Sequence, residues 1–522
     1  MTSTILPRAW PTVVHMLDHA ARHSPDLPAL ACGTEHLNYR EYAACVAGLA
    51  AELGQSGIGP GDRVLLFMGN SIDIAIATFA VQAAGAQVVP LNPAYTQSEL
   101  RQIAADAKAV GIIFDEGAQA VVQEACAECR LRLAVGAGSG ARRLDVWRKQ
   151  PELADSLPLP DPDWPSTLQY TGGTTGLPKG VSLAHRAVAI NVSQREALLP
   201  TEIGRERILA ITPLFHVYAV SMGLYLAAYA QSELVIVARY RPETVLDEIQ
   251  ARHITLMSGS PTIFMGLMGY EGFAKADLSS LRLCFSGSAA LAEETLRKWE
   301  HATGCIICEG YGQTEAGPVL TYNPSQGVRK IGSVGIPVPD TEIQIVDVET
   351  GESVLGEGEM GEIRARGPQI MTEYFGMGEE TARTLRDGWL YTGDIGRIDE
   401  DGYLTICDRK KEMVIVSGFN VYPREIEECL FRHKGVREAA VVGIPDAYRG
   451  EALVAYVVAA DPGLSEEAIA AYLAEHLVKY KWPSHIRLVE SLPRTTVGKI
   501  EKKRLREQAR QEHANAEGDH HG

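Results

Sequence analysis

Tyr170-Thr-Gly-Gly-Thr-Thr-Gly-Leu-Pro-Lys-Gly180 interrupts an otherwise regular succession of apolar runs. Its glycines let the backbone turn tightly and bring N–H groups close to an anion. Thr171, Thr174 and Thr175 add hydroxyl donors, and Lys179 adds a charge. The combination describes a loop for oligophosphate, the plain alternative being a flexible Gly/Thr turn. It is not a Walker A loop: the G-x-x-x-x-G-K spacing is missing, and Pro178 would spoil the helix that must follow. On both sides of this loop, short β-branched runs at 63–68, 111–114, 208–212, 234–237, 254–257 and 281–285 alternate with helical patterns such as 72–84 and 242–252. Strand–helix alternation predicts an α/β fold whose parallel sheets are covered on both faces.

From about residue 335 to 407 the pattern changes to short alternating strands with Gly and Asp turns, for example 341–346, 361–366 and 402–406, which predicts a small β-barrel or meander. The charged stretch Asp408-Arg-Lys-Lys-Glu412 follows. Beyond it an α+β segment is expected, with strands at 413–416, 439–442 and 452–458 and helices from Pro423 and after Ser465. Pro423, with Glu425 and Glu427 close behind, suits a helix start, because proline fits the first turn and acids face the positive end of the dipole. The division expected is a large domain over 1–408, a smaller one over 409–522, a charged hinge at 408–411 and a last helix that frays from about 512.

The 522 residues carry 49 basic and 66 acidic side chains, a net charge of −17. With 46% hydrophobic and 22% charged residues, disorder is excluded and sizeable cores are expected. The acidic excess argues against a nucleic-acid binder. The first ten residues do not read as a secretory signal, and the chain end, Asp519-His520-His521-Gly522, is no retention or peroxisomal address. The uncharged run 211–230 contains Pro213, His216 and Ser221 and reads as a buried strand plus helix, so no integral membrane segment is expected. Nine cysteines, an odd number, suit reduced thiols in a cytoplasm. The pairs Cys126/Cys129 and Cys305/Cys308 lack zinc-ribbon spacing and read as core packing.

Four further segments carry chemistry. Glu309-Gly-Tyr-Gly-Gln-Thr-Glu-Ala-Gly317 follows an apolar run; Tyr311 can stack on a base and Glu315 is a hard oxygen ligand for Mg²⁺. Gly388-Trp-Leu-Tyr-Thr-Gly-Asp-Ile-Gly396 offers Asp394 to two ribose hydroxyls, with a β-turn aspartate as the plain alternative. Val416-Ser-Gly-Phe-Asn-Val-Tyr-Pro423 places Gly418 where a backbone can approach a ligand, and Pro493-Arg-Thr-Thr-Val-Gly-Lys-Ile500 puts Lys499 just after a turn. A lysine in such a place is usually a solvated surface charge.

In this order the segments resemble the acyl-adenylate-forming superfamily of acyl-CoA synthetases, luciferases and peptide-synthetase adenylation domains. The stretch 387–423 looks most like bacterial fatty-acid:CoA ligases. The resemblance implies a two-step reaction, in which a carboxylate and ATP·Mg²⁺ give acyl-AMP and pyrophosphate, and CoA then displaces AMP. It implies that Thr171, Gly172, Gly173, Thr174, Thr175, Gly176 and Lys179 hold phosphate, and that Tyr311, Gly312, Gln313 and Thr314 line the nucleotide pocket. Glu315 would ligate Mg²⁺, Asp394 and Arg409 would bind ribose, and Lys499 would bridge the substrate carboxylate and α-phosphate, with Thr175 and Glu315 beside it in catalysis. Asp408 and Lys411 would form the hinge about which the C-terminal domain swings, presenting Lys499 to one half-reaction and Ser417 and Gly418 to the pantetheine arm in the other.

Relatives bring the segment Pro213-Leu-Phe-His-Val-Tyr218 into the acyl pocket. Amino-acid-activating relatives place an aspartate about there, and this chain has none. The implied pocket, with His216 as gate (or as a packed core histidine) and Gly287, Ser288 and Ala289 as a wall, is apolar and small-lined. It suits a medium- or long-chain fatty acid, with an aryl or cinnamate-type acid as the alternative. Partners are then a small carboxylic acid, ATP and CoA, with no nucleic acid; a homodimer stays open. Transfer to a carrier protein would call for an insertion near 376–411, which is missing. Luciferase-like oxidation and a non-catalytic nucleotide-binding scaffold are the remaining alternatives.

Overall fold

The structure, a computed structural model, describes residues 6–135, 142–143, 157–171, 178–446, 448–494 and 499–518, with backbone alone for 142–143 and 513–518. Two large sheets form the first part. One has the strand order Glu373–Tyr374, Lys179–Ala184, Pro165–Thr171, Gln87–Leu91, Arg63–Phe67, Gly111–Asp115, Leu131–Val135, Arg142–Arg143. Its pairs are parallel except at the end that carries Pro165–Thr171, Lys179–Ala184 and Glu373–Tyr374. The other has parallel neighbours Ile307–Tyr311, Leu283–Ser286, Leu256–Gly259, Arg207–Ala210, Glu233–Ile236 and Pro28–Cys32, closed at its two ends by short antiparallel strands. The expected alternation is therefore present, with strand boundaries within two residues of the sequence reading.

Parallel strands buried on both faces need helices without a polar side. Ile72–Ala83 is such a helix: all twelve of its residues are buried, and Ser71 caps it by accepting from the Ile74 N–H. The run 211–230 supplies another. The strand expected within it ends earlier, at Ala210, and 211–216 turn through Pro213; from there the run folds as Val217–Ala219, a π-helical stretch Val220–Tyr225, and Leu226–Ala230, all buried. Among the described residues no helix is long and apolar enough to cross a membrane.

Residues 342–409 form an antiparallel sheet of the meander kind, in the order Glu342–Val346, Gly361–Arg366, Trp389–Ile398, Leu385–Arg386, with Leu404–Arg409 also paired to Trp389–Ile398. The charged stretch begins inside this last strand and continues as a 3-10 turn, Lys410–Glu412. The final part is built on a further mixed sheet, in which Val436–Asp446 and Gly450–Ala459 pair along their whole length. Period-two alternation serves both faces: Ala439 and Val441 pack with Ile426 and Leu473 on one side, and Ala440 and Val442 with Leu492 and Leu505 on the other. The last helix runs Lys502–Gly518, beyond the end expected near 511. Leu505 and Ala509 anchor its first turns, and the Glu, Arg, Gln and Ala that follow are good helix formers.

Candidate active site

Thr171 and Lys179 are register partners on adjacent antiparallel strands. Gly172, Gly173, Thr174, Thr175 and Gly176 lie outside the described residues. Lys179 closes an ion pair with Glu380, and its Nζ lies 4.9 Å from the ring centroid of Tyr374. The Tyr374 hydroxyl donates to Glu315 Oε1 at 2.7 Å, and the Met371 N–H donates to the Glu315 carbonyl at 2.8 Å. Glu315 itself sits in the 3-10 turn Thr314–Ala316, and no described salt bridge involves it. A carboxylate in this setting fits Mg²⁺, which takes one or two protein carboxylates and fills its shell with phosphate and water oxygens.

Strand Ile307–Tyr311 delivers Tyr311 to the same region. Its hydroxyl donates to Asp394 Oδ2 at 2.6 Å, and Arg409 Nε lies 3.5 Å from Asp394 Oδ1. Asp394 and Arg409 are also register partners across their strand pair. Burial raises the Asp394 carboxyl, while the Arg409 guanidinium opposes that shift. The loop after Tyr311 requires glycine at 312: a Cβ there would come within 1.8 Å of the Pro318 carbonyl oxygen. Gly312→Ala is therefore expected to destabilise the fold by about 2–4 kcal/mol. Thermal unfolding checks this; a midpoint equal to that of the parent chain contradicts the close approach. Gln313 lies between Gly312 and the Thr314 turn, half-buried.

Lys499 reaches this cluster from the far end of the chain. It lies close enough to Asp394, Arg409 and Lys411 to feel all three, and burial first, then Arg409, pulls its pKa down to about 8. The ammonium is thus lost as pH rises through about 8, rather than near the usual lysine range. The kcat/KM of any step that needs this cation should fall about tenfold per pH unit above that point. Rate–pH profiles of the two half-reactions check the sign: only the step that uses Lys499 should show the limb. Lys411 is held down by burial and by Arg409 as well.

His216 is within electrostatic reach of Lys499 as well. Burial and then Lys499 push its pKa down to about 3, so the ring is neutral. The Tyr218 N–H donates to its Nδ1 at 3.3 Å, which leaves the proton on Nε2. The wall expected at 287–289 differs from its sequence reading. The space left by Gly287 is filled by the Tyr218 ring, 3.0 Å from where a Cβ would stand, and the Tyr218 hydroxyl donates to the Phe285 carbonyl at 3.3 Å. Ser288 is half-buried with a φ of 69°, and Ala289 is exposed. A small void runs along the helix after His216, lined by Gln169, Val217, Val220, Ser221, Tyr225 and Gly317.

Asp408 ties the charged stretch to the last domain. Its Oδ1 accepts from the Arg409 N–H at 2.7 Å and its Oδ2 from the Arg424 N–H at 2.9 Å, at the start of helix Pro423–Phe431. Arg494 donates to Thr262 Oγ1 at 3.3 Å and pairs with Glu438, which ties the segment before Lys499 to the large domain. Ser417 and Gly418, with φ of 52° and 83°, form the exposed two-residue tip of a hairpin between Val414–Val416 and Phe419–Val421. They are not part of the Lys499 cluster. Tyr374 and Glu380, which do join the site, carry no sequence signal: they sit on a two-residue strand and a seven-residue helix, Gly378–Thr384. Cys126 and Cys129 are buried together in one apolar cluster, and Cys305 and Cys308 are buried in two others.

Fold and site together define an adenylate-forming enzyme. Residues 17–375 match the AMP-binding enzyme family, and residues 425–499 match the AMP-binding enzyme C-terminal domain. The chain is 35% identical over 541 residues to a long-chain-fatty-acid–CoA ligase of Bacillus subtilis (strain 168), covering 97% of this chain and 96% of that one. It is also 35% identical over 496 residues to a feruloyl-CoA synthase of Amycolatopsis sp, covering 93% and 96%. The crystal structure of ATP-bound MatB from Rhodopseudomonas palustris superposes with a TM-score of 0.87 at 31% identity, over 94% of this chain and 98% of that one. The chain belongs to the AMP-binding enzyme family, and within it to the AMP-forming acid–CoA ligases.

Proposed function

We propose that this enzyme activates a medium- or long-chain fatty acid with ATP, releases pyrophosphate and passes the acyl group to CoA. The observation that carries this reading is the meeting of Lys499 with Asp394 and Arg409, three groups 105 residues apart at the extremes of 394–499 yet within electrostatic reach. In the first step a substrate carboxylate oxygen forms a bond to the α-phosphorus and the bond to the pyrophosphate oxygen breaks. Lys499 neutralises charge that builds between carboxylate and α-phosphate. Asp394 and Arg409 hold the ribose, Tyr311, Gln313 and Thr314 the base, and Thr171, Thr174, Thr175 and Lys179 the outer phosphates. Glu315 would hold Mg²⁺, which supplies charge neutralisation on those phosphates. In the second step the CoA sulfur adds to the acyl carbonyl, AMP leaves, and the thiol proton is released. The Ser417–Gly418 tip would guide the pantetheine arm after rotation about 408–411.

The neutral His216 ring and the apolar buried helix that follows it, Val217 to Ala230, support an aliphatic acyl chain. The flat Tyr218 ring against Gly287 favours the second reading, an aryl acid. CoA-thioester formation with saturated acids of increasing length and with hydroxycinnamic acids separates them: the proposal expects kcat/KM to rise with chain length, and a preference for the aryl series overturns the fatty-acid assignment.

A further inference from the structure

Lys179 does not wait for phosphate as an unpaired cation. Its ammonium is in contact with the Glu380 carboxylate, with side chains only 20% and 27% exposed, and stands over the Tyr374 ring. Helix Gly378–Thr384 is brought there by Glu373–Tyr374, which pairs with Val181 and Ser182 of the strand that begins at Lys179. The Tyr374 N–H donates to Thr381 Oγ1 at 3.0 Å, so strand, helix and lysine form one docked unit. The other Glu380 oxygen lies 3.6 Å from Arg383, an exposed guanidinium on the same helix that can retain the carboxylate when the lysine leaves it.

We propose that Glu380 is an internal competitor for polyphosphate: its carboxylate occupies Lys179, and ATP or pyrophosphate binds by displacing it onto Arg383. This inference rests on the reading of Lys179 as a phosphate-binding residue. It makes Glu380 a positioning residue that weakens ATP binding and speeds the departure of pyrophosphate. Burial of the pair limits solvent screening, but release of a partly exposed pair is worth only about a fivefold change in affinity.

The test measures binding of ATP·Mg²⁺, inorganic pyrophosphate and AMP to the full-length enzyme by titration calorimetry in the parent, Glu380→Gln, Glu380→Asp and Lys179→Gln forms, with thermal unfolding alongside. Glu380→Gln is expected to bind ATP and pyrophosphate about fivefold tighter and AMP unchanged, because AMP lacks the outer phosphates. Glu380→Asp, which keeps the charge on a shorter arm, should fall between, and serves if the glutamine variant does not fold. Tighter binding of AMP to the same degree, or ATP binding unchanged or weakened in Glu380→Gln, overturns the competitor role. Lys179→Gln should weaken ATP and pyrophosphate together; unchanged affinity there overturns the underlying phosphate assignment instead, whatever Glu380→Gln does.

Discussion

Replacing Lys499 with alanine is expected to slow acyl-AMP formation by about 10²–10³-fold, while acyl-AMP supplied with CoA is still converted to thioester. The reason lies in where the ammonium stands. It is half-buried beside Asp394 and Arg409, the pair proposed to hold the ribose, and within electrostatic reach of neutral His216, the residue proposed to face the acyl group. In the proposed adenylation step a cation so placed would meet the carboxylate and α-phosphate as their charge builds up, and its fixed position would remove the need to reorganise solvent. The second step makes no such demand, because charge then leaves as AMP. Quenched-flow measurement of acyl-AMP and of thioester formed from supplied acyl-AMP separates the two. Equal loss in both would remove Lys499 from adenylation alone.

The mirror result is expected for Gly418→Leu. The hairpin tip is exposed, a Cβ at Gly418 would meet nothing within 4 Å, and its positive φ costs a leucine only about 1 kcal/mol of local strain. Acyl-AMP formation should therefore proceed near the parent rate. Thioester formation should drop by about 10²-fold, because the branched side chain fills the path proposed for the pantetheine arm and displaces the thiol from its line of attack. Loss of adenylation to the same extent would mean that the tip supports the fold, and full retention of thioester formation would remove it from the CoA path.

The opposed variants also mark what was legible in the sequence. Strand positions and the phosphate-loop flanks were readable, because β-branched runs and a Gly/Thr/Lys cluster each have a direct physical cause. Asp394 was readable as a candidate, but its pairing with Arg409 was not: the register shifts between Ile395 and Gly396, and no periodicity encodes a bulge. Lys499 by spacing alone is a surface lysine; its burial comes from docking of one domain against another through contacts such as Arg494 with Thr262. Gly287 announced an absent side chain, yet not the Tyr218 ring that fills the space. Tyr374 and Glu380 were invisible because their elements are too short to carry a pattern. Composition, with its −17 charge, says nothing of a site where Lys179, Arg409, Lys411 and Lys499 gather.

An AMP-forming ligase that works through an acyl adenylate exchanges isotope between pyrophosphate and ATP in the absence of CoA. Exchange is expected to depend on an added carboxylic acid, to be lost in Lys499→Ala, to persist in Gly418→Leu, and to give way to equal yields of AMP and acyl-CoA once CoA is added. Absence of exchange with every acid, exchange that ignores the acid, or formation of ADP and phosphate would contradict the acyl-adenylate route.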